Sequence, residues 1–427
     1  MRRKVCKTSK TLLASLPDHI MTEIMFRLPI KSIIMCKCTC KALRHLISST
    51  DFVKLHYARA KPCILLANIM TFDCYMSRLV YLLEPNNMSF ISDDSCVCSV
   101  NDPSEGVNLK LTQLKNPTYD GKHAWINGDY VLVNSCNGFL CLYRGHCPQT
   151  YVVCNPVTNE YLKVPSPVNY IGWNDVSRGF GFCPKTKQYK VVRWLKSTDR
   201  ETPVTAEIHT LEVHKRWRTL VDTPVTTNFR SFDHPMYANG FIFWVYRDSP
   251  QSYCVVSFEL EVERFRSLPK PPIYRQTDIR MEMIGDRPSL CSRPSRAKID
   301  IWTIEAFGGV SEHWSKYVSI DIINIPRFIS ADYTCLITTC SKCETSFLLY
   351  HLYNQIMIYE TKRQKWRSFK IHQNNFEAKP TIYTPSFFSL KDAVPGANVK
   401  SISAGFVWPP EKMPPYLKEE VSVAGST

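Results

Sequence analysis

Cysteine and histidine are the residue types in this sequence whose spacing could bind a metal ion. Cys340 and Cys343 form a single Cys-x-x-Cys pair, and Cys335 and His351 lie close to it along the chain. A structural zinc site normally has two such pairs. The sequence therefore favours a structural role for these four side chains over a zinc site.

A second group of potential metal ligands is concentrated between residues 136 and 154. It consists of Cys136, Cys141, His146, Cys147 and Cys154. The segment has the alternating pattern of β-strands, and successive side chains of a strand point to opposite faces of a sheet. We expect these side chains to separate rather than converge, and we predict no bound metal and no cofactor.

Motifs of known enzyme classes are missing from the sequence. It has no Gly-x-Ser-x-Gly, no Walker loop and no His-Glu-x-x-His. Gly179-Phe180-Gly181 lacks the third glycine of a dinucleotide-binding loop and the strand-to-helix context that such a loop requires. We predict no catalytic residue and no enzymatic activity.

Basic and aromatic residues are mixed in three stretches, at 187–196, 214–218 and 362–367. The 53 Lys and Arg against 38 Asp and Glu give a formal net charge of +15, which favours acidic partners. Cations in these stretches would meet phosphates, and tryptophan would stack on bases. Each stretch also falls on a predicted β-hairpin, where the aromatic side chain packs and the charges face water. We prefer this second interpretation over binding of nucleic acid.

The chain from residue 15 has the pattern of a helix start, with a Ser-x-x-Asp capping box beginning at Ser15 and a proline in the first turn. Ile20, Ile24 and Leu28 follow at intervals of four on one predicted face, and Pro29 ends this helix. A second helix is expected behind a cap at 31–32, and a third contains Leu43, Leu46 and Ile47. Three short helices in about forty residues cannot bury this apolar surface alone. The pattern predicts binding of another protein.

This segment, about 14–55, resembles the F-box, by which substrate receptors bind the Skp adaptor of Skp–cullin–F-box ubiquitin ligases. The matching positions are Leu16-Pro17, Ile20, Glu23-Ile24, Arg27-Leu28-Pro29, Ser32, Cys38, Cys40-Lys41, Arg44 and Leu46-Ile47. The residues that we expect to contact the adaptor are Leu16, Pro17, Ile20, Ile24, Leu28, Pro29 and Ile33.

Two residues depart from the F-box pattern, because the family usually has valine in place of Thr39 and very often tryptophan in place of Leu43. Each change is expected to weaken helix packing by about 1 kcal/mol if the side chain is buried. These departures support an alternative hypothesis. In it the F-box has decayed, and the chain is a binding protein without a role in degradation whose basic β-domain binds a polyanion, nucleic acid or glycan.

The first 13 residues are predicted to form a tail. Their apolar run is shorter than a signal-peptide core, and no run in the chain has the length that spans a bilayer. We therefore expect a cytoplasmic or nuclear protein that is neither secreted nor embedded in a membrane, with its 18 cysteines reduced.

From residue 60 the sequence has the pattern of short strands. Aromatic residues close successive predicted hairpins at intervals of 48 to 56 residues, at Tyr161, Trp217, Phe265, Trp314 and Trp366. We expect these tryptophans to pack between blades, because a repeat of about fifty residues is that of kelch blades. Kelch repeats carry a glycine pair in each blade and this chain has one such pair, so the domain is kelch-like.

A second marker supports the same repeat, since Asn137-Gly138 and Asn239-Gly240 lie 102 residues apart, close to two periods. Five hairpins, with 62–67 and 381–390 as strands that close the ring, predict an all-β domain after the helices, a kelch-like β-propeller of about six blades. We place this domain at 60–395, with long loops or an insertion at about 84–128. A flexible tail is expected at 409–427.

The β-domain also resembles the plant F-box-associated domain, which often follows the F-box. The segments that match best are 134–142, 154–161 and 179–193, and Asn155-Pro156 within them has the form of a structural turn. The two resemblances imply a substrate-recognition subunit of a Skp–cullin–F-box ubiquitin ligase, a monomer within that complex. Its partners would be the Skp adaptor, through it a cullin, and a target protein whose binding residues the sequence does not identify.

Overall fold

The structure is a computed structural model, and parts of the chain are described. These parts are 16–60, 63–68, 79–83, 107–108, 112–115, 131–144, 150–167, 173–199, 201–212, 216–220, 222–225, 231–232, 235–249, 252–273, 279–284, 287–295, 298–321, 335–338, 346–351, 355–360, 365–370 and 378–401. Within them, no helix has the length and apolar character needed to cross a membrane.

Five helices occur in the described residues. They are α1 (Asp18–Phe26), α2 (Ile30–Thr39), α3 (Lys41–Ser48), α4 (Thr50–Arg59) and α5 (Leu390–Ala393). The three predicted N-terminal helices are present, and α4 is an additional one. It begins behind Ser49, whose hydroxyl accepts a hydrogen bond from the backbone N–H of Phe52 at 3.3 Å.

Prolines, rather than the predicted polar caps, precede the first two helices. Pro17 is the N-cap of α1 and makes no side-chain cap. Asp18 was predicted to close a capping box from the third helical position, but it is the first helical residue, so this prediction is wrong. Ser15 lies outside the described residues. The helix ends at Phe26, and the half-buried Pro29 is the N-cap of α2, so the predicted cap at 31–32 is wrong. Proline fits both positions because the first N–H groups of a helix have no intrahelical partner.

The strands of the described residues follow in chain order. The first are β1 (Cys63–Asn68), β2 (Leu79–Leu83), β3 (Val107–Asn108), β4 (Thr112–Lys115), β5 (Val131–Cys136), β6 (Phe139–Arg144), β7 (Thr150–Asn155), β8 (Glu160–Val164), β9 (Trp173–Cys183), β10 (Gln188–Ser197), β11 (Thr205–Thr210), β12 (Arg218–Leu220) and β13 (Ser231–Phe232). The others are β14 (Met236–Ala238), β15 (Phe241–Ser249), β16 (Ser252–Glu259), β17 (Arg264–Ser267), β18 (Ile279–Ile284), β19 (Arg287–Ser295), β20 (Lys298–Glu305), β21 (His313–Asp321), β22 (Cys335–Thr338), β23 (Ser346–His351), β24 (Gln355–Glu360), β25 (Lys365–Lys370), β26 (Ala378–Tyr383) and β27 (Lys400–Ser401).

These strands form six sheets, which we number as blades 1 to 6. From the innermost strand outward they are β26-β1-β2-β4, β5-β6-β7-β8-β27, β9-β10-β11-β12, β14 and β13 with β15-β16-β17, β18-β19-β20-β21, and β22-β23-β24-β25-β3. Each sheet stays open, and the innermost strands contact one another in the cyclic order β5, β9, β14, β18, β22, β26 and β5. The prediction of N-terminal helices followed by a propeller-like all-β domain of about six blades is thus confirmed.

The predicted repeat corresponds to equivalent positions in the blades. The five aromatic-closed hairpins are the third and fourth strands of blades 2 to 6. Asn137-Gly138 and Asn239-Gly240 are two-residue turns between the first two strands of blades 2 and 4, and all four residues have φ between 47° and 88°. Asparagine and glycine are favoured there because a tight hairpin turn of this kind requires positive φ at both positions.

Blade 1 is the seam of the ring, because its strands come from both ends of the domain. β26 pairs with β1, placing Tyr383 opposite Cys63. The segment predicted as a closing strand at 381–390 leaves the sheet after Tyr383, before a proline that could not donate to the strand ladder. We call residues 384–390 the strap. Two short strands, β3 and β4, lie within the range 84–128 that was predicted as loops or an insertion.

The helices share one hydrophobic core with blades 1 and 2 and the strap. Its buried members are Met21, Met25, Ile30, Ile33, Ile47, Phe52, Val53, Leu65, Leu132, Leu140, Leu142, Val152, Cys154, Val157, Tyr383 and Phe387. The helical segment is therefore packed against the propeller at the seam of the ring.

Candidate interaction surfaces

The exposed part of the predicted adaptor-binding set lies at the start of α1. Leu16 and Ile20 are 38% and 42% exposed, and Pro17 is exposed as well. Met35 of α2, which the sequence analysis did not select, is 62% exposed. Of the eight large apolar side chains exposed in the described residues, three lie between residues 16 and 39, on or beside α1 and α2, and a fourth, Leu55, lies apart from them on α4. Such a concentration in so short a segment indicates a protein-binding surface.

The other predicted contacts support the helices from inside. Ile24 and Leu28 are half-buried against the shared core, and Ile33 has no exposed surface. The buried stripe of α1 is Met21 and Met25, one residue round the helix from the predicted face. Of the residues predicted to contact the adaptor, Leu16, Pro17 and Ile20 are therefore exposed to a partner, whereas Ile33 is buried.

The two departures from the F-box pattern are accommodated in the helices. The hydroxyl of Thr39 donates a hydrogen bond to the carbonyl of Cys36 at 2.8 Å, and Thr39 is exposed. Leu43 is half-buried against the shared core. The described residues 16–60 also carry seven Lys and Arg against three Asp and Glu. This surface therefore combines exposed apolar groups with a positive charge that complements an acidic partner.

Helix α4 joins the other helices to the strap through aromatic rings. The ring of Phe387 lies 4.9 Å from His56 and 6.1 Å from Phe52, and Phe388 lies 5.3 Å from Tyr57. His56 is buried, its Nδ1 has no hydrogen-bond partner, and burial lowers its pKa to about 4. The imidazole is therefore neutral near pH 7 and packs as an aromatic ring.

Hydrogen bonds fix the strap to blade 2. The amide of Asn155 donates to the carbonyls of Ser386 and Phe388 at 3.0 and 2.8 Å, and its Oδ1 accepts from the N–H of Val157 at 2.9 Å. At Gly138, with φ +79°, an added Cβ would lie 2.1 Å from the Oγ of Ser386. The turn at Asn155 is structural, as predicted from its sequence. Its role in holding a segment more than 200 residues away was missed, because a turn motif carries no signal for its distant partner.

Three cysteines on the strands of blade 2 are divided between two core clusters. Cys136 and Cys141 pack in one core cluster and Cys154 in another, and burial raises the pKa of each thiol. In the parts of the chain that the structure describes, no three His, Cys, Asp or Glu side chains are placed to hold a metal ion. Four of the cysteines and histidines considered above lie outside the described residues: His146, Cys147, Cys340 and Cys343.

The middle of the basic stretch 187–196 packs inside the propeller, since residues 189–195 are buried, whereas Lys187 is exposed. Trp194 is fully buried, and Arg193 forms a buried ion pair with Glu207, with 2.6 Å between Nη2 and Oε2. Lys190 pairs with Glu263 of the next blade at 2.8 Å. These cations and this aromatic ring are already engaged within the protein. This supports the packing interpretation of this stretch over a nucleic-acid surface.

Two tryptophans that close hairpins bind the preceding blade in the same way. Trp217 donates from Nε1 to the carbonyl of Pro165, and Trp314 donates to the carbonyl of Pro269, both at 2.8 Å. Each proline follows the fourth strand of the preceding blade. These indoles therefore connect blades, as predicted. Residues 362–364 of the third basic stretch lie outside the described residues.

A cavity of about 450 Å³ lies on the axis of the propeller. It is lined by the innermost strands β5, β14, β18 and β26 and by Tyr57 of α4. A volume in this range suits a small ligand or a side chain of a partner. Tyr57 lies at the end of the axis where β5 meets the strap, so one wall of the cavity belongs to the helical segment.

Comparisons with known proteins match the same two regions. Residues 13–55 match the F-box domain, and residues 88–393 match the F-box associated beta propeller domain. An F-box protein of Arabidopsis thaliana is 26% identical over 337 residues, covering 72% of this chain and 73% of that protein. A second F-box protein of that plant is 22% identical over 399 residues, with 88% and 97% covered. An F-box/kelch-repeat protein of the same plant is 26% identical over 316 residues, with 72% and 79% covered.

Solved structures are more distant. TolB from Acinetobacter baumannii is 8% identical with a TM-score of 0.43, covering 81% of this chain and 73% of that one. The match to the propeller domain spans more than half of the chain and follows a match to the F-box domain. The chain therefore belongs to the family of F-box proteins with an F-box associated beta propeller domain.

Proposed function

We propose that this chain is the substrate-recognition subunit of a Skp–cullin–F-box ubiquitin ligase. The observation that carries the proposal is the exposure of Leu16, Ile20 and Met35 on basic helices that match the F-box domain. The helices bind the Skp adaptor and through it a cullin, and the propeller binds a target protein. The chain acts as a monomer within the complex, in the cytoplasm or the nucleus.

The mechanism is positional, since the proposed receptor makes no covalent bond itself. It raises the local concentration of a target lysine near the ligase's charged conjugating enzyme, as any bivalent linker does. The shared core of the helices, blades 1 and 2 and the strap supports this role. A target bound to the propeller is then held at a defined orientation to the adaptor.

The target is proposed to bind at the end of the propeller remote from the helices. Ser386 of the strap lies beside Gly138, which follows the last residue of β5 by two positions, and Phe387 of the strap packs on His56 of α4. Val131, the first residue of β5, lies at the other end of that strand, and a strand of six residues spans about 20 Å. Loops on a rigid scaffold commonly carry binding residues, and we assign the target to the loops at that end.

Co-purification with a Skp adaptor tests the proposal. The intact chain is compared with Ile20→Asp, because Ile20 is exposed and its replacement leaves the core untouched. Aspartate at Ile24 or Leu28 would disturb the core instead. Leu55→Asp is the matched control, since Leu55 is 47% exposed on α4 and lies outside the predicted contact set.

The proposal predicts that the intact chain and Leu55→Asp retain the adaptor and that Ile20→Asp loses it. Loss in both variants would indicate a general effect of charge on the helices. Failure of the intact chain to bind would overturn the ligase proposal and favour the alternative of a binding protein without a role in degradation.

A further inference from the structure

The cavity on the propeller axis has one basic and one acidic side chain among its described lining residues. These are Arg280 and Glu282, both half-buried on β18, the innermost strand of blade 5. Burial raises the pKa of the other ionisable lining groups, Tyr57, Cys136 and Tyr237, which keeps them uncharged near pH 7. The described lining therefore carries two opposite charges and no net charge. Such a lining favours a zwitterion over a ligand with a single charge.

The two charges have a fixed spacing along the axis. Arg280 and Glu282 are two residues apart on one strand, so their side chains leave the same face with about 7 Å between their points of attachment. The turn after β18 lies at the end of the axis where Tyr57 is found, because Arg287 just beyond that turn shares a pocket with Asn239, and Asn239 and Tyr57 both line the axial cavity. Glu282 is therefore the charge nearer to α4.

Tyr57 adds a hydroxyl that can serve a ligand. Two other tyrosines at this end are already engaged, since Tyr237 donates to the carbonyl of Phe182 at 2.9 Å and Tyr383 donates to that of Gly138 at 3.0 Å. The hydroxyl of Tyr57 has no hydrogen-bond partner within the described residues. A half-buried polar group on a cavity wall gains free energy when a ligand supplies the missing hydrogen bond.

Backbone groups face the axis as well. Among the described strands, β5, β18 and β26 each pair with one neighbour, which is β6, β19 and β1 respectively. The unpaired edge of such a strand presents N–H and C=O groups. A ligand that contains a peptide group can form hydrogen bonds with this edge, as an added strand does.

We propose that the axial cavity binds a small peptide-like zwitterion, a dipeptide with free termini. Its carboxylate binds the guanidinium of Arg280, and its ammonium binds the carboxylate of Glu282 and the hydroxyl of Tyr57. Two extended residues span about 7 Å, which matches the spacing of the two charges along β18. The cavity of about 450 Å³ exceeds the volume of any single side chain and lies in the range of small-molecule pockets. Adaptor binding plays no part in this site.

The first test is a calorimetric titration of the full chain with alanyl-phenylalanine, alanyl-leucine and alanyl-alanine. Each dipeptide is compared with its N-acetyl form, which lacks the ammonium, and with its C-terminal amide, which lacks the carboxylate. At least one free dipeptide is expected to bind at millimolar concentration or below, and each of its blocked forms about tenfold more weakly, because a hydrogen bond between charged groups is lost.

Two results of this titration would overturn the proposal. One is the absence of binding by all three free dipeptides at millimolar concentration. The other is equally tight binding of a form blocked at both ends, which would indicate a site for a partner's polypeptide chain instead.

Variants then assign the two charges. Arg280→Gln should weaken binding of the free dipeptide about tenfold and leave binding of the amide form unchanged, whereas Glu282→Gln should weaken the free dipeptide and leave the N-acetyl form unchanged. Tyr57→Phe, which removes only the hydroxyl, should weaken binding several-fold. Lys298→Gln removes the same charge as Arg280→Gln at an exposed position outside the lining, and should change nothing. Equal losses for free and blocked dipeptides would show that Arg280 and Glu282 act only on the fold, and would overturn their assignment.

Hydrogen exchange locates the ligand independently of affinity. The bound dipeptide should slow exchange of amides around Tyr57 in α4 and in β18, because it contacts both elements. The slowing should shrink in Glu282→Gln at the same ligand concentration. Protection confined to other elements would place the ligand elsewhere and overturn the assignment of the cavity. Failure of the chain to bind a Skp adaptor would overturn the proposed ligase function and leave these results unaffected.

Discussion

Replacement of Phe387 by alanine should destabilise the helices and the propeller together. Phe387 is buried in the strap, and its ring contacts both Phe52 and His56 of α4. Truncation of a buried phenylalanine costs about 3–5 kcal/mol. Two ring contacts add about 0.5–1.5 kcal/mol each beyond area burial, which places the expected loss near the upper end of that range.

Urea unfolding measures the size of this loss, and hydrogen exchange measures its distribution. In the Phe387→Ala variant, amides of α4 and of the β1–β26 pairing should exchange faster, because both segments pack against this ring or adjoin it. Leu55→Ala is the control, since that side chain is exposed on the same helix and its truncation should cost under about 0.5 kcal/mol. A loss below about 1 kcal/mol for Phe387→Ala, or faster exchange confined to the helices, would refute the shared core.

Three further predictions concern stability. Burial lowers the folded-state pKa of His56 to about 4, so the unfolded state binds more protons below pH 6.5. The contribution of His56 to stability is therefore full above that pH and falls by about 2 kcal/mol at pH 5. Urea titrations of His56→Phe should show a fall smaller by about this amount, and a fall equal to that of the unchanged protein would contradict this. Gly138→Ala should cost more than Gly308→Ala by about 1–3 kcal/mol in thermal unfolding, because both have positive φ but only the first would meet the strap. Arg193→Ala should cost about 3–5 kcal/mol in urea unfolding, since it leaves the buried carboxylate of Glu207 without this partner, and a loss under about 1 kcal/mol would show that the pair is dispensable.

Local patterns in the sequence were sufficient to predict the repeating blades of the propeller. Asn-Gly turns and hairpin-closing aromatics depend on backbone geometry and packing within a single blade or between neighbouring blades. Trp217 and Trp314 therefore repeat the same hydrogen bond in blades 3 and 5. Such features recur at the spacing of the blades, and this is why their periodicity predicted a ring of about six.

Features that depend on distant segments could not be predicted from the sequence. The apolar side of α4 is completed by Phe387, and Asn155 holds carbonyls of residues 386 and 388. Nothing in the turn around Asn155 specifies which distant segment will accept hydrogen bonds from its side-chain amide. The closing strand was predicted too long for a related reason, because its continuation is held by side chains of blade 2 rather than by a neighbouring strand.

The candidate adaptor surface was predicted in part. The helix period identified the apolar residues of α1, but period alone does not distinguish a face that packs on the propeller from one that stays exposed. Met21 and Met25 take the buried positions, and Ile20 beside them stays exposed. Met35 was missed because it lies in a second helix whose orientation depends on the shared core.

Titration calorimetry of the purified chain with a Skp adaptor tests the central claim most directly. We predict a one-to-one complex in which Ile20→Asp weakens binding by about tenfold or more, equivalent to about 1.4 kcal/mol, while Leu55→Asp changes it by less than about twofold. No heat of binding from the intact, reduced chain, with both variants equally inert, would contradict the account of this protein as a ubiquitin-ligase receptor.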